Sequence, residues 1–130
     1  MILVDSSVWI DFFNGRDSAK VKQLDILLDR DLIVIGDLIL TEVLQGFTKD
    51  NDYKTAKELL RKLLFMEMLG KGIVIKSADN FRRLRKKRIT PRKTINIIIA
   101  TFCSENKITL LHSDKDFDTI AEYLHLKIYT

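Results

Sequence analysis

The chain has 130 residues, 46% of them hydrophobic and 31% charged, with a formal net charge of +4. That length suits one domain, residues 1–130, with a real core, and the apolar content excludes a disordered chain. Its apolar runs are too short to span a bilayer, no basic-then-apolar leader opens it, and its one cysteine, Cys103, excludes an internal disulfide, so a cytoplasmic protein without membrane contact is expected.

Ile2-Leu3-Val4 reads as a short buried strand stopped by Asp5, after which Val8, Trp9, Phe12 and Phe13 fall at helical spacing. A carboxylate at the carboxyl end of a strand faces the crevice where open α/β sheets bind ligands. Asp5 or Ser6 can equally cap the helix, so at this point Asp5 stays open between ligand and cap, and with Asp5 taken as a ligand Ser6 and Ser7 are the better capping candidates. Asn14-Gly15-Arg16-Asp17 is a turn, and Asp17 or Ser18 can cap a second helix that carries Val21, Leu24, Leu27 and Leu28 and ends near Asp29-Arg30-Asp31. Leu32 to Ile35, closed by Gly36, is an unbroken apolar strand of the kind covered on both faces in a parallel sheet. Asp37 opens a helix to Gly46 in which Glu42 is the only later charge. A carboxylate so isolated needs a partner, a metal, a proton or the one wet edge of its helix.

A long helix is predicted from about Asp50 to Leu69, with Ala56, Leu59, Leu60, Leu63, Leu64 and Met68 as its core stripe. Met66 and Met68 read as fillers of core gaps or of a dimer face. Gly70-Lys71-Gly72 breaks that helix, Ile73-Val74-Ile75 predicts a third strand, and Ser77 caps a basic helix with Phe81 and Leu84 on its apolar side. From Arg82 to Lys93 stand eight cations and no acid, which points to a polyanion surface, the alternative being a solvated helix face. Pro91 places Ile89–Lys93 in a loop, and Thr94 can cap a helix from Ile95 to about Glu105 that is apolar apart from Asn96 and Thr101. Lys107 to His112 is a fourth strand, running into Ser113-Asp114-Lys115-Asp116; a helix over Asp118–Leu124 and a short strand at Lys127–Tyr129 close the chain. The alternation predicts an α/β sandwich with a mostly parallel sheet of four to five strands.

Two strands end in acids, one at Asp5 and one at Asp114 with Asp116, and a parallel sheet brings such ends to one edge. Glu42 and position 96 can surround the same pocket. Packed carboxylates repel and need a counter-cation, and hard oxygen ligands select Mg2+ or Mn2+. His112 and His125 are too few and too scattered for zinc and read as structural. A carboxylate-held Mg2+ beside a basic strip suits phosphodiester cleavage by metal-activated water. Arg82, Arg85, Lys86, Arg88, Arg92 and Lys93 are then the candidates for holding the flanking phosphates.

Four pieces, Val4–Asp11, Leu40–Gly46, Arg92–Ala100 and Leu110–Phe117, together resemble a VapC-type PIN-domain ribonuclease, the toxin half of a toxin–antitoxin pair. The resemblance covers essentially the whole chain. It implies a PIN-like three-layer α/β/α sandwich and Mg2+-dependent endoribonuclease activity on tRNA or rRNA. It also implies a homodimer, and a cognate antitoxin through which the protein meets DNA indirectly. Asp5, Glu42 and Asp114 carry over as pocket acids, Asp5 and Asp114 among the metal ligands, with Ser7 supporting the first acid and Asp116 as a further ligand or orienter. The family's third acid, catalytic and metal-binding, falls at position 96, which here is Asn96. An amide has no charge and weakens Mg2+ binding, so an Asp→Asn inactivated nuclease is expected. Because the other motif positions are intact, a change introduced so that a toxic protein could be produced is preferred to natural degeneration. Two rivals remain. One is a non-catalytic PIN-like module that binds RNA or protein, which Asn96 favours. The other is a receiver-like phosphoacceptor domain, which lacks a convincing acceptor because Asp37 more simply caps a helix.

Overall fold

In the computed structural model, which describes every residue except Asp31, four short strands form one parallel sheet. They are β1 (Ile2–Val4), β2 (Ile33–Gly36), β3 (Leu64–Met66) and β4 (Thr109–Leu111), in the order β3-β2-β1-β4. Ile2 pairs with Ile33 on one side and Thr109 on the other, and Val34, Ile35 and Gly36 pair with Leu64, Phe65 and Met66. β1 and β2 are buried throughout and carry no polar side chain. Helices cover both faces of such strands, so their sequence shows no alternation.

Among the described residues seven helices surround the sheet: α1 (Ser6–Phe13), α2 (Ala19–Leu28), α3 (Asp37–Gln45), α4 (Asp50–Arg61), α5 (Lys71–Lys86), α6 (Thr94–Asn106) and α7 (Asp116–Leu124). α1 packs on α2 and α3, and α3 on α4, while α5, α6 and α7 pack on one another, giving an α/β/α arrangement. Trp9 is fully buried and stacks on Phe13 within α1, and Phe13 meets Phe47 edge-on with centroids 5.5 Å apart, which ties α1 to the segment after α3. The chain leaves β1 toward β2 on one side and reaches β4 on the other. The carboxyl ends of β1 and β4 therefore flank a switch point, where open sheets have their crevice. No helix among the described residues is long and apolar enough to cross a membrane.

The main departure from the sequence reading lies between residues 61 and 86. The long helix stops at Arg61, and the third strand is Leu64–Met66, inside the stretch expected to be helical. Ile73-Val74-Ile75 is not a strand; it lies in the first turns of α5, with Val74 and Ile75 exposed. Pairing with β2 overrides local pattern here, since Leu59, Leu63 and Met66 happen to keep helical spacing. Met68 is fully buried, and its side chain fills the place where a Cβ on Gly36 would sit, so that position of β2 has no room for a larger residue.

Smaller corrections concern caps and ends. Ser77 lies inside α5 and donates its hydroxyl to the Ile73 carbonyl at 2.7 Å, and Thr94 opens α6 behind Lys93 instead of capping it. Ser18 is the residue that caps α2, accepting from Val21 N–H at 3.2 Å. The last strand is a single bridge between Leu110 and Ile128, and α7 begins two residues early, at Asp116. Of the predicted end of α2 at Asp29-Arg30-Asp31, Asp31 lies outside the described residues.

Candidate active site

Asp5 follows β1 directly and is the N-cap of α1, with extended backbone (φ −68°, ψ 154°). Its Oδ2 accepts from the Ser7 N–H at 3.1 Å and from the Ser7 hydroxyl at 2.6 Å. The same Ser7 hydroxyl accepts from Ser113 N–H at 3.0 Å, tying the end of β1 to the end of β4. Asp5 is buried, and burial pushes its carboxyl above the ordinary 3.8; the Ser7 hydrogen bonds pull the other way, and nearby Asp114 adds to the rise. Cap and pocket acid are thus the same residue. Neither Ser6 nor Ser7, the capping candidates favoured from sequence, caps α1.

Glu42 projects from the middle of α3, and its Oε1 accepts from the Ser6 hydroxyl at 3.1 Å. Burial raises its carboxyl above 4.5, Ser6 lowers it, the Asp5 charge raises it, and Lys93 lowers it. Those mutual influences place Asp5, Glu42, Asp114 and Lys93 around one region. Ser6 entered the sequence reading only as a cap candidate, although its position directly after a strand-ending acid was the available signal.

The opposite wall is built by the loop after β4 and the start of α6. Asn96, buried in the first turn of α6, donates its side-chain N–H groups to Asp114 Oδ2 at 3.2 Å and Asp116 Oδ2 at 2.9 Å. Arg92 Nη2 donates to Asp114 Oδ1 at 2.9 Å, and the Arg92 backbone N–H donates to both oxygens of Asp116, at 3.3 and 3.1 Å. Asp114 Oδ1 also accepts from the Asp116 N–H at 3.0 Å. Burial acts to raise the Asp114 carboxyl, but the bonds from Asp116, Asn96 and Arg92 outweigh it, and the net shift is below 3.8. Beneath lies His112, whose Nδ1 accepts from Asp114 N–H at 3.2 Å and whose ring burial pushes below the ordinary 6.5, with Asp118 pulling the other way.

The fold therefore gathers Asp5, Ser7, Glu42, Asn96, Asp114 and Asp116 at one sheet edge. Of the basic run, Arg92 is paired with Asp114, a contact that local sequence does not reveal. Arg82, Arg85, Lys86 and Arg88 are exposed on and just after the last turns of α5, where cations also suit the helix dipole. Cys103 is a buried core thiol, raised by desolvation.

A divalent cation of the Mg2+ type needs several oxygens turned toward one point. At position 96 the group facing the acids is an amide NH2, and it must be so, because an amide oxygen there would meet the lone pairs of two carboxylates. Asp114 is further claimed by a guanidinium. Among the described residues no group of three or more His, Cys, Asp or Glu side chains is arranged to hold a metal. As arranged, these residues do not fit Mg2+ or Mn2+.

A family model described as PIN domain matches residues 2–123. The VapC ribonuclease Mb1587 of Mycobacterium bovis and ribonuclease VapC11 of Mycobacterium tuberculosis are each 27% identical over 129 residues, covering 98% of this chain and 96% of theirs. Among solved structures, VapBC2 from Rickettsia felis bound to a promoter DNA fragment aligns with a TM-score of 0.77 at 16% identity, over 99% of this chain and 98% of that one. Mycobacterium tuberculosis VapC20, a toxin that cleaves the sarcin-ricin loop, aligns at 0.68 and 13% identity, over 92% and 94%. At such identities the structural matches establish the fold.

Proposed function

The chain belongs to the PIN-domain family and is homologous to VapC toxins, and from that premise we propose that its scaffold is that of a Mg2+-dependent endoribonuclease acting on tRNA or rRNA, inactive or impaired in this chain because of Asn96. The observation that carries the reading is the convergence of Asp5, Glu42 and Asp114 at one sheet edge, with Asn96 standing among them and donating to Asp114 and Asp116. A carboxylate at position 96 would complete an oxygen-rich pocket; the amide closes it. Of this chain's own groups, Lys93 acts on Glu42, and Arg82, Arg85, Lys86 and Arg88 continue the positive strip outward, where RNA phosphates would lie.

The proposed setting is a single domain over residues 1–130, working in the cytoplasm as a homodimer. An antitoxin would bind it and supply the contact with DNA, in keeping with the match to DNA-bound VapBC2. The Asn96 geometry also favours a second reading, a PIN-like module that binds RNA or protein without cutting.

The test compares this chain, Asn96→Asp, and Asn96→Asp combined with Asp5→Asn for cleavage of total cellular RNA with Mg2+, with the cut ends sequenced. The nuclease reading expects cuts from Asn96→Asp alone, lower by at least about 100-fold in the other two. Equal cleavage by this chain and Asn96→Asp would refute the inactivation, and no cleavage by any form would leave the binding module.

A further inference from the structure

The acids at the end of β4 are fully supplied with donors by the chain itself. Asp114 Oδ1 accepts from Arg92 Nη2 and Asp116 N–H, and Asp114 Oδ2 from Asn96. Asp116 Oδ2 accepts from Asn96 and the Arg92 N–H, which reaches Asp116 Oδ1 as well. Two residues from the segment entering α6 thus occupy all four oxygens of two acids eighteen to twenty-four positions later.

We propose that Asn96 and Arg92 form a built-in clamp that takes the structural place of a cation, pinning the β4–α7 loop to the start of α6 and leaving the folded chain indifferent to Mg2+ and Mn2+. In this proposal Arg92 is a positioning residue, acting through Asp114. It rests on the reading of this pocket as a VapC-type acid site whose position 96 has lost its carboxylate.

The two halves of the clamp differ in weight. The Arg92 side chain is 69% exposed, so its ion pair with Asp114 is screened and weak by itself. Asn96 is only 4% exposed, and its donors would be stranded in the interior without the two acids, so it is the stronger half. A carboxylate at position 96 would face Asp114 and Asp116 at similar range and repel both until a proton or cation entered. A cation entering the present chain must instead displace Arg92 and reverse the Asn96 amide.

The experiment uses the full chain without RNA. Thermal unfolding is followed in EDTA and in millimolar Mg2+, and Mn2+ binding is read from the paramagnetic resonance of free Mn2+, for this chain, Asn96→Asp, Arg92→Gln and Arg92→Lys. This chain should unfold at the same temperature with and without Mg2+. Asn96→Asp should lose about 5 °C in EDTA, recover most of it with Mg2+, and bind Mn2+ at least about tenfold more tightly. Arg92→Gln should bind Mn2+ several-fold more tightly than the unaltered chain because Asp114 is released, and Arg92→Lys should restore the original value. An Asn96→Asp protein as stable in EDTA as this chain, or Mn2+ binding by this chain as tight as by that variant, would overturn the clamp. If Asn96→Asp fails to fold, Arg92→Gln decides, and unchanged Mn2+ affinity there rejects the proposal. An Asn96→Asp protein that responds to Mn2+ but cuts no RNA keeps the clamp and loses the nuclease.

Discussion

The Ser6 hydroxyl donates to Glu42 Oε1 at 3.1 Å, joining the first residue of α1 to the middle of α3. Among the described residues it is the one side-chain hydrogen bond to the Glu42 carboxylate, and it opposes the upward pull of burial on that acid. Replacing Ser6 with Ala should cost about 1 kcal/mol of stability and push the Glu42 carboxyl higher still. Denaturant unfolding measures the first effect and carbon-detected NMR titration of Glu42 the second. A Glu42 titration identical in both proteins would show that the hydroxyl does not tune it.

The pH dependence follows from three carboxyls and the His112 ring, with opposite signs. Asp5 and Glu42 titrate above their ordinary 3.8 and 4.5, both chiefly through burial. The folded state then holds their protons more tightly than the unfolded chain does. Their favourable contribution is complete below the unfolded values and is lost as pH rises through the folded ones. Asp114 titrates below 3.8, burial being outweighed by its donors, so its contribution is present above 3.8 and lost as pH falls through its folded value. As pH falls, Asp5 and Glu42 should therefore add stability, while His112, whose ring burial holds below the ordinary 6.5, and then Asp114 take it away. Asp5→Asn keeps a capping side chain while removing the buried charge. It should gain about 1 kcal/mol at pH 7 and flatten the stability change as pH is lowered toward 3.8, as read by urea unfolding at a series of pH values. A variant with the original pH slope would exclude Asp5 as its source.

Neutralising Arg85, Lys86 and Arg88 together should weaken RNA binding and reduce the slope of log affinity against log salt by about 2 for a single strand, at roughly 0.7 per lost phosphate contact. Arg92→Gln should leave that slope nearly unchanged, because this guanidinium is already engaged by Asp114. Fluorescence anisotropy over a salt series separates the two. If the triple variant keeps the full slope, the run is only the solvated, dipole-compatible end of α5.

Much of this architecture is legible in the primary structure. Ile2-Leu3-Val4 and Ile33-Val34-Ile35 form strands where continuous apolar runs place them, and α3 and α6 begin and end within a residue or two of their expected bounds. The acids Asp5 and Asp114 stand just beyond β1 and β4, because a parallel sheet sends every such end to the same edge. Local pattern misplaced β3 and the start of α5, since Leu59, Leu60, Leu63 and Leu64 suit a helix stripe and Ile73-Val74-Ile75 suits a strand equally well.

Sequence by itself determined the alternation of buried strands and amphipathic helices, the family, and the residue types that line the pocket, because periodicity and side-chain chemistry are local properties. Tertiary structure alone decided that Leu64–Met66 pairs with β2, that Asp5 serves as cap and pocket acid at once, and that Arg92 turns from the basic run to Asp114. Each of these depends on which groups meet across the fold. A strand edge, a buried carboxyl and a guanidinium all take the partner that best satisfies their backbone bonds or charge, and the partner of each lies in a distant part of the chain.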